Sequence, residues 1–266
     1  VAIAGVPYDG TASFRSGTRF GPDAIRTGSQ GIETYSPTLD RDYAGHAVCD
    51  LGNVIVPVCS PERMVEAVTR ATRLILQAGS RSLLLGGEHS VSTGAVTAVA
   101  EEHDDLLILQ LDAHADLRDE YLGESHSHAC TMRRCLEVTG GPLLQVGIRS
   151  GTRVEFEEMR THNRLVSANP EALARAIRAQ GERPIYLTID LDVFDPAVLP
   201  GTGTPEPGGI TWRIFESLLG VVPRGAIVAA DVVELTPQLD PGGRSSVLAA
   251  KVVREVLLRM LDERTP

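Results

Sequence analysis

The sequence is poor in aromatic residues, 4% of the chain with one tryptophan, and it has only four cysteines, Cys49, Cys59, Cys130 and Cys135. No two of these form a CxxC pair, which removes thiolate metal knots and dithiol redox centres; as small apolar residues they suit a reducing, cytoplasmic setting without disulfides. No apolar run reaches membrane-spanning length, and the segment from Val1 to Val6 is too short, and lacks the basic flank, for a signal peptide; it reads as a strand. Positive charge is also scarce. Against 35 Asp and Glu there are 25 Lys and Arg, a formal net charge of −10, the opposite of what counterion release on nucleic acid requires and a lean toward cationic ligands. Linkers, low-complexity tracts and fixed-period repeats are missing, and 266 residues with 42% apolar content support one large core, hence one domain over 1–266. No G-x-S-x-G elbow is present, and the glycine-rich stretches Phe14 to Pro22 and Pro200 to Gly209 match no phosphate-cradling loop.

What is present is alternation. Strand-like runs recur at Val1 to Val6, Ser82 to Leu85, Leu106 to Leu111, Leu143 to Gly147, Ile185 to Ile189 and Ala226 to Asp231. Between several of them lie helical patterns. Pro61 to Ala78 carries Met64, Val65, Val68, Ala71, Leu74 and Ile75 at three-to-four spacing, with Ser60-Pro61 to open the helix and Gly79 to stop it. Pro170 to Gln180 repeats the device after Asn169, and Ser245 to Leu261 is a final helix. Continuous apolar strands alternating with helices predict an α/β fold with a parallel sheet covered on both faces. In such sheets, sites form at the carboxyl ends of strands.

Three of those ends carry metal-ligand chemistry. Leu111-Asp112-Ala113-His114-Ala115-Asp116 follows an apolar run, and if the chain stays extended past Leu111 the two carboxylates and the imidazole share a face. Asp190 and Asp192 close the run Pro184 to Ile189 in the same way. Ser82-Leu83-Leu84-Leu85-Gly86-Gly87-Glu88-His89-Ser90 is a strand, a glycine turn and a histidine opening a helix. Each segment alone is also compatible with turn formers and caps; a common explanation for all three is a shared cation site. Four aspartates and two histidines together are too acidic to leave uncompensated. Two divalent ions would supply about four positive charges against about four negative ones. Carboxylates with two imidazoles and no thiolate favour Mn²⁺ by hardness, although affinity order alone would favour Zn²⁺, Ni²⁺ or Cu²⁺.

Two further segments hold candidates. In Ser125-His126-Ser127-His128-Ala129, one histidine can reach back over the metals as acid or base, or the two form a surface pair. Glu234, just past the run Ile227 to Asp231, can hold a cationic substrate group or serve as a salt-bridge partner. The acidic run Glu101-Glu102-His103-Asp104-Asp105 reads as a solvated loop.

These segments resemble the ureohydrolase family of arginases and agmatinases, in the motifs Gly86-Gly87-Glu88-His89-Ser90, Asp112-Ala113-His114-Ala115-Asp116 and Thr188-Ile189-Asp190-Leu191-Asp192-Val193-Phe194-Asp195-Pro196. The likeness extends to Gly5 to Gly10, Arg19 to Arg26, Pro200 to Gly209 and Asp231 to Glu234, most of the chain. It implies a three-layer α/β/α fold with a central, mostly parallel sheet, trimeric or hexameric assembly, and two Mn²⁺ ions per chain. One ion would be held by His89, Asp112, Asp116 and Asp190 and the other by His114, Asp112, Asp190 and Asp192. It further implies that Asp116 aims the attacking water, Glu234 binds the guanidinium, and His128, with His126 the weaker candidate, carries a proton to the leaving amine. The products would be urea and an amine.

The substrate is less constrained. Arginases carry Asn two residues after the last Asp of D-x-H-x-D, where this chain has Arg118, so arginine fits poorly. The run Asp112 to Tyr121 followed by Ser127-His128-Ala129 is most similar to agmatinases, which turn agmatine into putrescine and urea. Arg118, Arg133 and Arg134 leave guanidinobutyrate open, and N1-aminopropylagmatine as well. Two readings of other classes remain. A deacetylase-like zinc enzyme would leave His89, Asp116 and Asp192 unexplained, and a non-catalytic binding protein would usually have lost a ligand.

Overall fold

The computed structural model describes residues 1–57 and 59–261. In chain order its elements are β1 (Ala2–Gly5), α1 (Gly21–Ser29), β2 (Tyr35–Ser36), β3 (Arg41–Asp42), β4 (Cys49–Asn53), α2 (Pro61–Gln77), β5 (Ser82–Leu85), α3 (Val91–Ala100), β6 (Leu107–Leu111), α4 (Thr131–Thr139), β7 (Leu143–Val146), α5 (Arg153–Thr161), β8 (Leu165–Val166), α6 (Pro170–Ala179), β9 (Ile185–Asp190), α7 (Trp212–Val221), β10 (Ile227–Val233) and α8 (Arg244–Met260). Eight strands form one sheet in the order β4-β1-β5-β10-β9-β6-β7-β8. Every pairing within it is parallel. The two-residue strands β2 and β3 pair separately and antiparallel.

Alternate residues of each strand feed two cores. Leu107, Leu109 and Leu111 of β6 join Ile25, Leu173, Phe215 and Ala249, which places α1, α6, α7 and α8 on one face. Ile108 joins Met64, Val91, Met132 and Met159, which places α2, α3, α4 and α5 on the other. With both faces covered, the inner strands must be largely apolar, as the sequence shows. The result is the expected three-layer α/β/α arrangement.

The predicted elements recur with ends shifted by one or two residues. At α2, Ser60 Oγ accepts the Arg63 N–H and Pro61 occupies the first turn; Gly79, at φ 72°, ends the helix in the left-handed conformation that glycine adopts without penalty. Asn169 caps α6 through the N–H groups of Glu171 and Ala172. Elements without an apolar run had no such signal. Strand β4 (Cys-Asp-Leu-Gly-Asn) is exposed along its whole length at the sheet edge, and β8 is two residues long. The run from Glu101 to Asp105 follows α3 as a largely exposed loop, with Glu101 paired to Arg73 at 2.7 Å. All four cysteines are unpaired. No helix among the described residues is long and apolar enough to cross a membrane.

Strands β5, β10, β9 and β6 are consecutive in the sheet, so the segments leaving their carboxyl ends lie side by side. The turn after β5 is packed tightly against the N-terminal segment. Glu88 N–H donates to Tyr8 O at 2.8 Å, and a Cβ built on Gly87 would lie 1.8 Å from that same carbonyl oxygen. We expect Gly87→Ala to cost about 3 kcal/mol or more, because backbone rather than a yielding side chain is in the way. Urea denaturation checks this, and a loss below about 1 kcal/mol would show that the segment can move aside.

Candidate metal centre

The four neighbouring strand ends deliver His89 after β5, Asp112, His114 and Asp116 after β6, Asp190 as the last residue of β9 and Asp192 just beyond it, and Glu234 after β10. Unbroken extension past Leu111, the condition for a shared face, does not occur. Asp112 Oδ1 instead accepts the His114 N–H at 2.6 Å, a side-chain turn that bends the backbone as soon as pairing stops. The same turn recurs after β9, where Asp190 Oδ1 accepts the Asp192 N–H at 2.8 Å. Asp116 then adopts φ 52°, and its carbonyl accepts the Met132 and Arg133 N–H groups at the start of α4. Convergence of the three side chains is therefore produced by turns rather than by strand alternation.

Asp112 is at the middle of the arrangement. Its Oδ2 lies 3.0 Å from His89 Nδ1 and its Oδ1 3.7 Å from His114 Nδ1, so its two oxygens face different imidazoles. His89 Nδ1 also lies 3.0 Å from Asp116 Oδ2 and 3.4 Å from Asp190 Oδ2. His114 Nδ1 lies 2.9 Å from Asp192 Oδ2. His89, Asp112 and Asp116 form one group able to hold a metal ion, and Asp112, His114 and Asp192 a second. The fit is shown by His89 itself: its Nδ1 is buried with no hydrogen-bond partner, a donor atom ringed by carboxylate oxygens.

The electrostatics of the cluster favour added positive charge. Burial, then the Asp192 and Asp116 carboxylates, push Asp112 up to about 7. Asp190 is raised well above the carboxylate range by burial and by Asp192 and Asp112. Burial disfavours charge on both histidines, yet the carboxylates prevail: His89 is raised well above its usual range and His114 to about 10. Burial would raise Asp192 too, but its contact with His114 outweighs that and lowers it.

Glu234 is buried with φ 67°. Its N–H donates to Gly87 O and its Oε1 accepts the His89 N–H at 2.8 Å, so β10 and the glycine turn hold each other. No Arg or Lys pairs with it among the described residues, and burial and Glu88 raise it well above its usual range. His128 hangs over the same cavity, with Nε2 3.2 Å from Ser13 Oγ and Nδ1 3.4 Å from Thr11 Oγ1. His126 lies apart, beside Glu124 and Glu62. The cavity measures about 210 Å³, and Arg118, Tyr121, Ser13 and Thr204 complete its walls. Arg118 stacks on the Tyr121 ring at 4.7 Å. Arg133 and Arg134 point elsewhere, to Glu158 and to Asp119 and Glu137.

Comparison with known proteins agrees with this geometry. A model of the arginase family matches residues 1–259. The chain is 39% identical to the agmatinase of Bacillus subtilis (strain 168) over 261 residues, 96% of this chain and 90% of that protein. It is 35% identical to the N(1)-aminopropylagmatine ureohydrolase of Thermococcus kodakarensis over 260 residues, 94% of this chain and 87% of that one. The crystal structure of agmatine ureohydrolase of Thermoplasma volcanium superposes with a TM-score of 0.88 at 30% identity, covering 97% of this chain and 89% of that chain. The chain belongs to the arginase family. It is a ureohydrolase, a hydrolase of guanidino compounds, in a family of binuclear metal enzymes.

Several residues that shape this arginase-family site were not singled out from the sequence. Gln110 Nε2 donates to Asp112 Oδ2 at 2.7 Å, and Gln145 Nε2 donates to Gln110 Oε1 at 2.6 Å across the β6–β7 pair. Arg149 donates to the carbonyls of Asp192 at 2.7 Å and Glu206 at 2.8 Å, tying two loops together. Glu155 accepts the Leu117 N–H at 3.0 Å and holds the segment beyond Asp116. An amide inside an otherwise apolar strand was the available signal for the two glutamines.

Burial and mutual repulsion favour protons on Asp112, and the surrounding carboxylates favour them on both histidines, so a divalent cation bound to these atoms would compete with protons. Those protons are more firmly held as pH falls, so apparent Mn²⁺ affinity should rise from pH 6 to pH 8, by roughly tenfold per unit for each proton released. Calorimetry in buffers of different ionisation enthalpy measures the release. A dissociation constant independent of pH would contradict the assignment.

Proposed function

We propose that this chain, acting as one catalytic unit over residues 1–266, hydrolyses agmatine to putrescine and urea with two Mn²⁺ ions. His89, Asp112, Asp116 and Asp190 would hold one ion, and His114, Asp112, Asp190 and Asp192 the other. The observation that carries the reading is Asp112, whose two oxygens face His89 and His114 separately, the arrangement a bridging carboxylate requires. Hard oxygen donors with two imidazoles suit manganese. When bound, the two cations supply Lewis acidity and bring the pKa of water toward neutrality.

The chain's own groups do the rest. Glu234, buried and without a cationic partner among the described residues, receives the planar guanidinium, which offers parallel N–H donors to a carboxylate. Asp116 accepts a hydrogen bond from the attacking water and aims its lone pair at the guanidinium carbon. The C–N bond to the alkyl chain then breaks, and His128, fixed at the rim by Ser13 and Thr11, delivers a proton to the departing amine nitrogen. Water is consumed, and urea and a protonated amine are released. A carboxylate-rich cavity of about 210 Å³ suits a slender dication, and the agmatinase of Bacillus subtilis shares 39% identity over nearly the whole chain. One observation favours a second reading: Arg118, stacked on Tyr121 in the cavity wall, would suit the distal carboxylate of an ω-guanidino acid such as guanidinobutyrate.

Urea release by Mn²⁺-loaded protein, measured across agmatine, N1-aminopropylagmatine, guanidinobutyrate and arginine, should give agmatine the highest kcat/KM. A preference for guanidinobutyrate would select the second reading, and no urea from any of them would overturn the function. Asp116→Asn should lower kcat at least about a hundredfold, whereas Glu234→Gln should act chiefly on KM. Wild-type kinetics in either variant would remove that residue's role.

A further inference from the structure

Behind His89 runs a chain of buried hydrogen bonds with a defined direction. Asp231 lies in the middle of β10, fully buried, directly opposite Thr188 of β9 in the strand register. Its Oδ2 accepts the Tyr186 hydroxyl at 2.5 Å and its Oδ1 the Thr188 hydroxyl at 2.6 Å. A threonine hydroxyl has one proton. With that proton given to Asp231, Thr188 Oγ1 can only accept from His89 Nε2, 2.8 Å away. Nε2 must then carry hydrogen, and in a neutral imidazole Nδ1 is left with its lone pair. That nitrogen is the buried atom without a hydrogen bond, facing oxygens of Asp112, Asp116 and Asp190. With a cation bound among these carboxylates, the imidazole is neutral and that lone pair would face the cation.

We propose that Asp231 and Thr188 are positioning residues that fix His89 in the tautomer presenting Nδ1 to one of the two metal ions. The inference rests on the dinuclear reading above. A carboxylate suits the far end because, ionised, it only accepts, and so sets the direction of every bond in the chain. Asparagine at that position has the same shape and can turn its NH₂ toward Thr188. The hydroxyl would then donate to Nε2 and move the hydrogen to Nδ1, closing the donor atom to a cation.

Mn²⁺ titration followed by electron paramagnetic resonance, with stoichiometry by elemental analysis, tests this without reference to turnover. Wild type should bind two ions. Asp231→Asn and Thr188→Val should each weaken one ion by roughly 10- to 100-fold and leave the other within about twofold, while Thr188→Ser, which keeps the hydroxyl, should restore both. Nitrogen-15 spectra of protein loaded with diamagnetic Cd²⁺ in place of Mn²⁺ should show His89 as the Nε2–H tautomer in wild type and in Thr188→Ser. Two ions at wild-type affinity in Asp231→Asn and Thr188→Val, equal weakening of both ions, or a Thr188→Ser variant as impaired as Thr188→Val would overturn the proposal. If wild type binds a single ion, the dinuclear reading fails. The relay then stands or falls on whether that ion weakens in Thr188→Val and recovers in Thr188→Ser.

Discussion

Four aspartates gathered at the carboxyl end of one sheet repel one another, and burial multiplies that repulsion by removing the water that would screen it. The raised carboxyls of Asp112 and Asp190 and the raised imidazoles of His89 and His114 express that repulsion: each shift favours positive charge, or loss of negative charge, at the cluster. A site with this many acids needs compensating positive charge, from protons or from cations. The parallel sheet is what permits the crowding, since its hydrogen bonding anchors four adjacent chain ends without asking the side chains at those ends to be apolar.

The surrounding residues keep the charges in place. Asp112 and Asp190 each turn the chain by accepting the backbone N–H two residues on, so the same carboxylates that face the imidazoles also shape the backbone that carries their neighbours. Behind them the polar groups are directional. Gln145 donates to Gln110, which donates to Asp112, while Asp231 receives from Thr188, which receives from His89. Such a network is costly unless each member is satisfied, and its members come from strands already held in register.

Much of this was legible in the chain. Apolar runs bounded by glycine and proline located the central strands and three of the helices, because a sheet covered on both faces requires continuous apolar strands. The ligand motifs stood at the ends of those runs. The exposed edge strand β4 and the two-residue β8 were not legible, since neither buries a periodic pattern. Gln110, Gln145, Thr188 and Asp231 were written as polar letters inside apolar strands, but a single polar letter does not say which partner lies across the sheet. The extended geometry anticipated after Leu111 gave way because an Asp at a strand end finds a nearer N–H than the next strand offers.

The local order of residues thus determined the class of fold, the family and the candidate donor residues, all of which depend on short-range pattern. The strand order β5-β10-β9-β6 was decided only in three dimensions, and with it the placement of Glu234 beside His89 across 145 residues of chain. So was the placement of His128 over the cavity and of His126 away from it, although the two stand two residues apart. The physical reason is the same in each case: pairing across a sheet and the direction of a loop side chain depend on packing partners distant in sequence, and those partners exist only once the layers have closed.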